Sequence, residues 1–191
     1  MATQEQRLIA KAAANIFGGE AKVIEYWDNA RRSSIPILIC RDSPDQGLTS
    51  CSTIGLSDYN IGYTVEEKNL RVEICGASTS EFEYFPNIIS TCAFNIINDK
   101  FACYPGAVYR NVVHEYYKDK ALKHIVFVSP GMWEHQFENI EFDDKVITWL
   151  MAMPITEREF NFLQENSLDA LETVFEDNQI DIFDLDRESA I

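Results

Sequence analysis

The chain has 191 residues, 46% of them hydrophobic and 12% aromatic, and its 31 acidic against 16 basic side chains leave a net charge of −15. That composition excludes a wholly disordered chain and suits about one domain with its own core. The acid excess argues against direct binding to nucleic acid or to an anionic membrane, which needs clustered Lys and Arg, and no apolar run approaches the ~20 residues of a membrane span.

In chain order, residues 3–17 read as an amphipathic helix: Leu8, Ile9, Ala12, Ala13, Ile16 and Phe17 recur at helical spacing, Thr3 is the N-cap, and Gly18-Gly19 stops it. Strand-like runs follow at 21–27, 35–40, 48–56 and 70–75, divided by Ser43-Pro44-Asp45-Gln46-Gly47 and Ser57-Asp58-Tyr59-Asn60. Leu70-Arg71-Val72-Glu73-Ile74 alternates as a strand with one wet face does, and the short loops suggest antiparallel pairing. Residues 81–100 carry one apolar helical stripe from Phe82 to Ile97. Tyr104-Pro105-Gly106 marks a turn before an irregular stretch containing Asn111 to His114. Residues 124–128 and 145–153 read as two more strands, with Asp143-Asp144 as turn chemistry between them. Thr156 and Glu159 have the spacing of a capping box, and Ser167 caps a second helix carrying Leu168, Leu171, Val174 and Phe175. The expectation is an α+β fold: a single domain over residues 1–191 with a mostly antiparallel mixed sheet flanked by helices.

The charge is concentrated. Residues 134–191 hold 16 acidic side chains against Lys145, Arg158 and Arg187, a net of −13, whereas residues 1–133 carry only −2. The contrast points to a negative face able to steer and hold a basic partner.

No nucleotide-binding, zinc-protease or hydrolase signature is present. His114, His124 and His135 are too far apart in sequence to share a helical turn. Cys40, Cys51, Cys75, Cys92 and Cys103 are odd in number, form no CxxC pair and read as reduced core thiols. Trp27, Trp133 and Trp149 read as packing residues. Asp181, Asp184 and Asp186 lack the glycine and closing Glu of a calcium loop, and Glu134, His135 and Glu138 are too few for a metal centre. No catalytic residue, metal or cofactor is expected. The N-terminus lacks the layout of a signal peptide, so the expected location is cytoplasmic.

Thr53-Ile54-Gly55-Leu56-Ser57 resembles the T-x-G-L-S segment of suppressor-of-fused (SUFU) domain proteins. So does its setting: an N-terminal helix with Trp27 downstream, the strand at Val72-Glu73-Ile74, then Pro105-Gly106. The closing run Met153-Pro154-Ile155-Thr156-x-x-Glu159, followed by Asp184-x-Asp186-Arg187-x-Ser189, also matches that family. The resemblance spans roughly residues 5 to 190 and points to the bacterial branch, similar to Bacillus antitoxins paired with LXG-type toxins that end in a ribonuclease domain. It implies an immunity protein that neutralises a cognate basic nuclease toxin without catalysis of its own. A scaffold or sequestering module for a regulatory protein is the alternative. The acidic side chains expected to meet the toxin are Glu134, Glu138, Glu141, Asp143 and Asp144, with Glu165, Asp169, Glu172, Glu176 and Asp177 on the last two helices.

Overall fold

The computed structural model describes residues 2–133 and 136–191. Thr3 opens helix α1 (Gln4–Phe17) with a reciprocal capping box: its hydroxyl accepts the Gln6 N–H, and the Gln6 side chain accepts the Thr3 N–H. Strands β1 (Ala21–Trp27), β2 (Ser34–Arg41) and β3 (Leu48–Thr53) follow as expected. The expected third strand stops three residues early, because Gly55 turns the chain at φ +91° into a 3₁₀ turn at Leu56–Asp58. After β4 (Thr64–Val65) and β5 (Lys68–Thr79) comes α2 (Phe85–Asp99). The stretch without sequence periodicity forms β6 (Val108–Tyr109) and α3 (Val112–Tyr116). The chain then runs through β7 (Leu122–Val128), β8 (Ile140–Glu141), β9 (Lys145–Thr156), α4 (Glu157–Glu165) and α5 (Leu168–Asp177). Both later caps form as the sequence predicts, Thr156 accepting from Glu159 N–H and Ser167 from Ala170 N–H.

One mixed sheet carries the fold in the order β1-β2-β3-β5-β9-β7-β6, with β4 added to β5 and β8 to β9. Its pairs are antiparallel except at the centre, where β5 and β9 run parallel with Asn69 opposite Lys145 and Cys75 opposite Met151. Short loops do set the first antiparallel pairs. They say nothing about β9, which returns to β5 only after the 65 residues between Thr79 and Lys145.

Helices and loops cover both faces. On one face α2 and α3 pack over Ile35, Ile37, Val72, Ile74 and Leu150. On the other, α1, α5 and the segment before β9 pack over Leu38, Cys75, Ile147, Trp149 and Met151. This corrects the wet-face expectation for β5: Arg71 is half-buried, and Glu73 is fully buried beneath the α1 layer. Trp133 and Trp149 are core residues, but Trp27, on the outer strand β1, is 51% exposed. An edge strand has a neighbour on one side only, so its outward side chains lack the cover that inner strands receive.

Gly76 of β5 allows α2 to seat closely on the sheet. A Cβ there would lie 3.1 Å from the Phe85 ring and 3.2 Å from the Ala152 carbonyl oxygen. Gly76→Ala is therefore expected to lower stability by about 1–3 kcal/mol through overpacking, read as a drop in the urea midpoint without a change in slope.

Candidate functional site

The family-like segments converge on two buried carboxylates. Glu73 is 0% exposed and lies under the turn that follows β3. Its Oε1 accepts the Gly55 N–H at 2.9 Å, the Ser57 N–H at 3.0 Å and the Ser57 hydroxyl at 2.7 Å. Its Oε2 accepts the Thr53 hydroxyl at 2.5 Å and the Leu56 N–H at 3.2 Å. Thr53 Oγ1 in turn accepts the Ile74 N–H, locking the turn to the strand that carries Glu73. Burial pushes the Glu73 carboxyl above its ordinary value, and the hydrogen bonds from Thr53, Ser57 and Gly55 pull it back. Thr53, Gly55, Leu56 and Ser57 are thus buried structural donors to Glu73.

Glu159, also 0% exposed, is held by Arg187 in a two-pronged pair, Nη1 to Oε1 at 2.7 Å and Nη2 to Oε2 at 3.0 Å. The Thr156 and Ala190 N–H groups complete its shell. Arg187 also donates to the Pro154 and Glu188 carbonyls, and the Ser189 hydroxyl meets that of Thr156. The C-terminal tail is thereby fastened to the start of α4. Burial works to raise the Glu159 carboxyl, but Arg187 and the Ala190 N–H hold it below its ordinary value.

His124 is equally internal. Its Nδ1 accepts the Asn111 N–H at 2.9 Å, so Nε2 carries the proton and donates to Glu157 at 2.8 Å. Burial lowers the His124 pKa against the opposing pull of Glu157. All five cysteines are free and buried; burial pushes the Cys40 thiol up to about 11 and that of Cys103 up to about 12. None is a thiolate near neutrality, which leaves no activated nucleophile among them. Among the described residues no three His, Cys, Asp or Glu side chains gather as metal ligands would.

The acidic side chains expected to meet a partner do lie outside. Glu138, Glu141, Asp143 and Asp144 are exposed on the β8–β9 hairpin and the segment before it, whereas Glu134 lies outside the described residues, as does His135. Glu165, Asp169, Glu176 and Asp177 are exposed on α4 and α5, with Glu172 partly covered. The two groups belong to one layer, because Phe137 packs against Phe17, Trp133 and Trp149, while Met132 borders the same recess as Glu172 and Glu176. Trp133 fixes this segment by donating to Ser50 Oγ at 2.9 Å. Other acids of residues 134–191 are tied down, Glu159 to Arg187, Glu157 to Arg110 and His124 and Asp186 to Lys120, and of the outward set Glu141 pairs with Lys68. A groove of about 660 Å³, unforeseen from sequence, opens between the β4–β5 hairpin, the turn at Tyr104 and the chain before β8.

These features sit on a known fold. The chain belongs to the family described as Suppressor of fused protein (SUFU), whose model matches residues 31–188. It is similar to the Immunity protein YqcF of Bacillus subtilis (strain 168), 47% identical over 189 residues that cover 99% of this chain and 98% of that one. Among solved structures, a SUFU homologue from Neisseria gonorrhoeae FA 1090 superposes with TM-score 0.65 at 15% identity, covering 98% of this chain and 97% of the other. A Sufu–Fu complex also gives 0.65, at 8% identity over 97% of this chain and 92% of that one. The fold and family expectations thus agree with the comparisons.

Two outcomes test the buried carboxylates. Glu73→Gln turns an amide NH₂ toward backbone donors and is expected to cost about 3 kcal/mol, in the range for a broken buried polar network, read by urea unfolding. On the acid side, two groups with lowered folded pKa values lose stability as pH falls. His124, with a lowered folded pKa, contributes stability that is present above its unfolded value near 6.5 and lost as pH falls below it. Glu159, also lowered, adds a further loss as pH falls below about 4.5. Glu73, raised by burial, works the other way and gains stability as pH falls towards its unfolded value. The His124 contribution is therefore read as a difference: from pH 7 to 5 the unfolding midpoint of the wild type should fall relative to that of His124→Asn.

Proposed function

We propose that the chain is an immunity protein acting in the cytoplasm as one unit over residues 1–191, and that it binds and neutralises a cognate cytotoxic nuclease without catalysis of its own. The observation that carries this reading is the 47% identity to the Immunity protein YqcF along almost the full length of both chains. The chemistry supports it. The most conspicuous ionisable groups are locked in internal hydrogen bonds, the thiols are buried and protonated, and carboxylates are left at the surface on one layer. No helix among the described residues is long and apolar enough to cross a membrane.

A nuclease grips phosphates with a basic cleft, and an inhibitor needs only a surface that fits and opposes it. Exposed carboxylates raise the encounter rate and prolong the complex through charge-assisted hydrogen bonds. We assign this role to Glu134, Glu138, Glu141, Asp143 and Asp144, and to Glu165, Asp169, Glu172, Glu176 and Asp177. The partner is a ribonuclease domain of an LXG-type toxin in this reading.

The test is co-expression with the toxin domain encoded beside this chain, scoring growth and isolating any complex. Rescue with a stoichiometric complex is expected; no rescue and no complex would overturn the proposal. Replacing Glu138, Glu141, Asp143 and Asp144 with their amides should slow association about tenfold at low salt, and the difference should shrink in high salt as charges are screened over ~3 Å at 1 M. Unchanged association at low salt would remove these residues from the interface.

A further inference from the structure

The groove near β4 has the chemistry of a receptor for one particular side chain. Its floor is apolar, formed by Leu70, Val72 and Leu150 on the sheet, and Phe137 forms a wall. At its mouth Tyr63 and Tyr104 stand edge to face with centroids 6.2 Å apart. They are 40% and 47% exposed, so both rings are available to a group that enters the groove. Val65, on the same hairpin, is also exposed at 39%. Among the described residues, the charged side chains lining the groove are Glu66 and Glu141. The nearby cation Lys68 is bound to Glu141 at 3.3 Å in an exposed pair that a competing cation can displace.

The hairpin that carries Glu66 is costly for its sequence. Glu66 and Glu67 form its two-residue turn at φ +49° and +67°, positions where Asn-Gly is the favoured pair and a long side chain is strained. An apolar floor, aromatic rings at the mouth and carboxylates at the rim together match one side chain. An arginine lays its aliphatic stem on apolar surface, stacks its guanidinium on tyrosine and pairs it with carboxylate.

We propose that this groove is the principal docking pocket for the toxin, and that its occupant is an arginine side chain projecting from the toxin surface. The inference rests on the immunity reading and locates its anchor point. The acids on α4 and α5 then steer the encounter, whereas the groove holds the complex.

Binding of the purified neighbouring toxin domain to the full chain tests this by titration calorimetry. Tyr104→Ala should weaken the wild-type affinity at least tenfold. Glu66→Asn combined with Glu67→Gly should also weaken it at least tenfold while raising the melting temperature, since the turn is relieved as the charges are removed. That pairing of higher stability with lower affinity separates a lost contact from a damaged fold. Glu20→Gln with Glu25→Gln, which removes the same charge at the outer strand β1, away from the groove, should leave affinity within twofold. On the toxin, one surface arginine changed to Ala should reproduce the loss and add nothing further to Tyr104→Ala. If the wild type binds and the groove variants bind equally well, the pocket assignment falls while the immunity reading stands. If only an apolar toxin residue couples to Tyr104, arginine is the wrong occupant. If the wild type does not bind the toxin at all, both fall.

Discussion

The carboxylate of Glu73 organises the centre of the molecule. A glutamate on a central strand with both faces covered has no water to solvate it, and an uncompensated charge there would be prohibitive. The chain compensates by ending β3 early and wrapping the Thr53–Ser57 turn over it, so that three backbone N–H groups and two hydroxyls point at one carboxylate. The same turn carries Asp58, which accepts from Gln6 of α1, and Gly55, where any Cβ would strike the Gln6 side chain at 2.7 Å. Glu5, next to Gln6, then reaches Lys145 at the start of β9. A single buried carboxyl group thus links the end of a strand, the seat of a helix and, through Glu5, the start of the neighbouring strand.

Glu159 applies the same principle at the other end of the chain. It serves twice, closing the capping box of α4 and receiving the Arg187 fork, so the tail past α5 cannot leave without exposing a buried ion pair. Its worth is mainly in specifying a position, because an ion pair taken out of water gains little net energy over well-packed apolar side chains. Arg187 also lies over the Phe175 ring, which couples the tail to α5 as well as to α4. Part of the acidity of the last third therefore belongs to architecture. The charge available to a partner is smaller and more localised than the net value suggests.

Much of the fold is legible in the sequence because it is local. The α1 cap, the Thr156 and Ser167 caps, the apolar stripe of α2 and the first antiparallel strands each depend on residues a few positions apart. The misses are non-local. Glu73 in an alternating strand looks like a solvent-facing residue; only the arrival of Thr53–Ser57 and α1 makes it internal. The parallel pairing of β5 with β9 joins segments separated by two helices, and nothing in either strand names the other. Trp27 errs in the opposite direction, since an aromatic residue in a strand pattern reads as core until the strand proves to be the outer one. Of the surface, the sequence yields the presence of acid but not its neighbours: Glu141 gains meaning from Lys68 and from the groove, and Tyr63 and Tyr104 meet only in the fold.

The division of labour among the recognisable residues has a functional consequence. The segments through which the chain resembles its family, Thr53-x-Gly55-Leu56-Ser57 and Pro154 to Arg187, satisfy buried groups and specify a scaffold, and a scaffold alone does not select a partner. Selection falls to side chains free of such duties. In the proposed reading they lie on the β4–β5 hairpin, the turn at Tyr104, the β8–β9 hairpin and the outer faces of α4 and α5. All are loops or exposed helix faces borne on a rigid sheet, where side chains can change without disturbing either buried carboxylate. A protein built this way can keep its fold while being refitted to different partners, which is the physical requirement on an inhibitor that must match one toxin and ignore others.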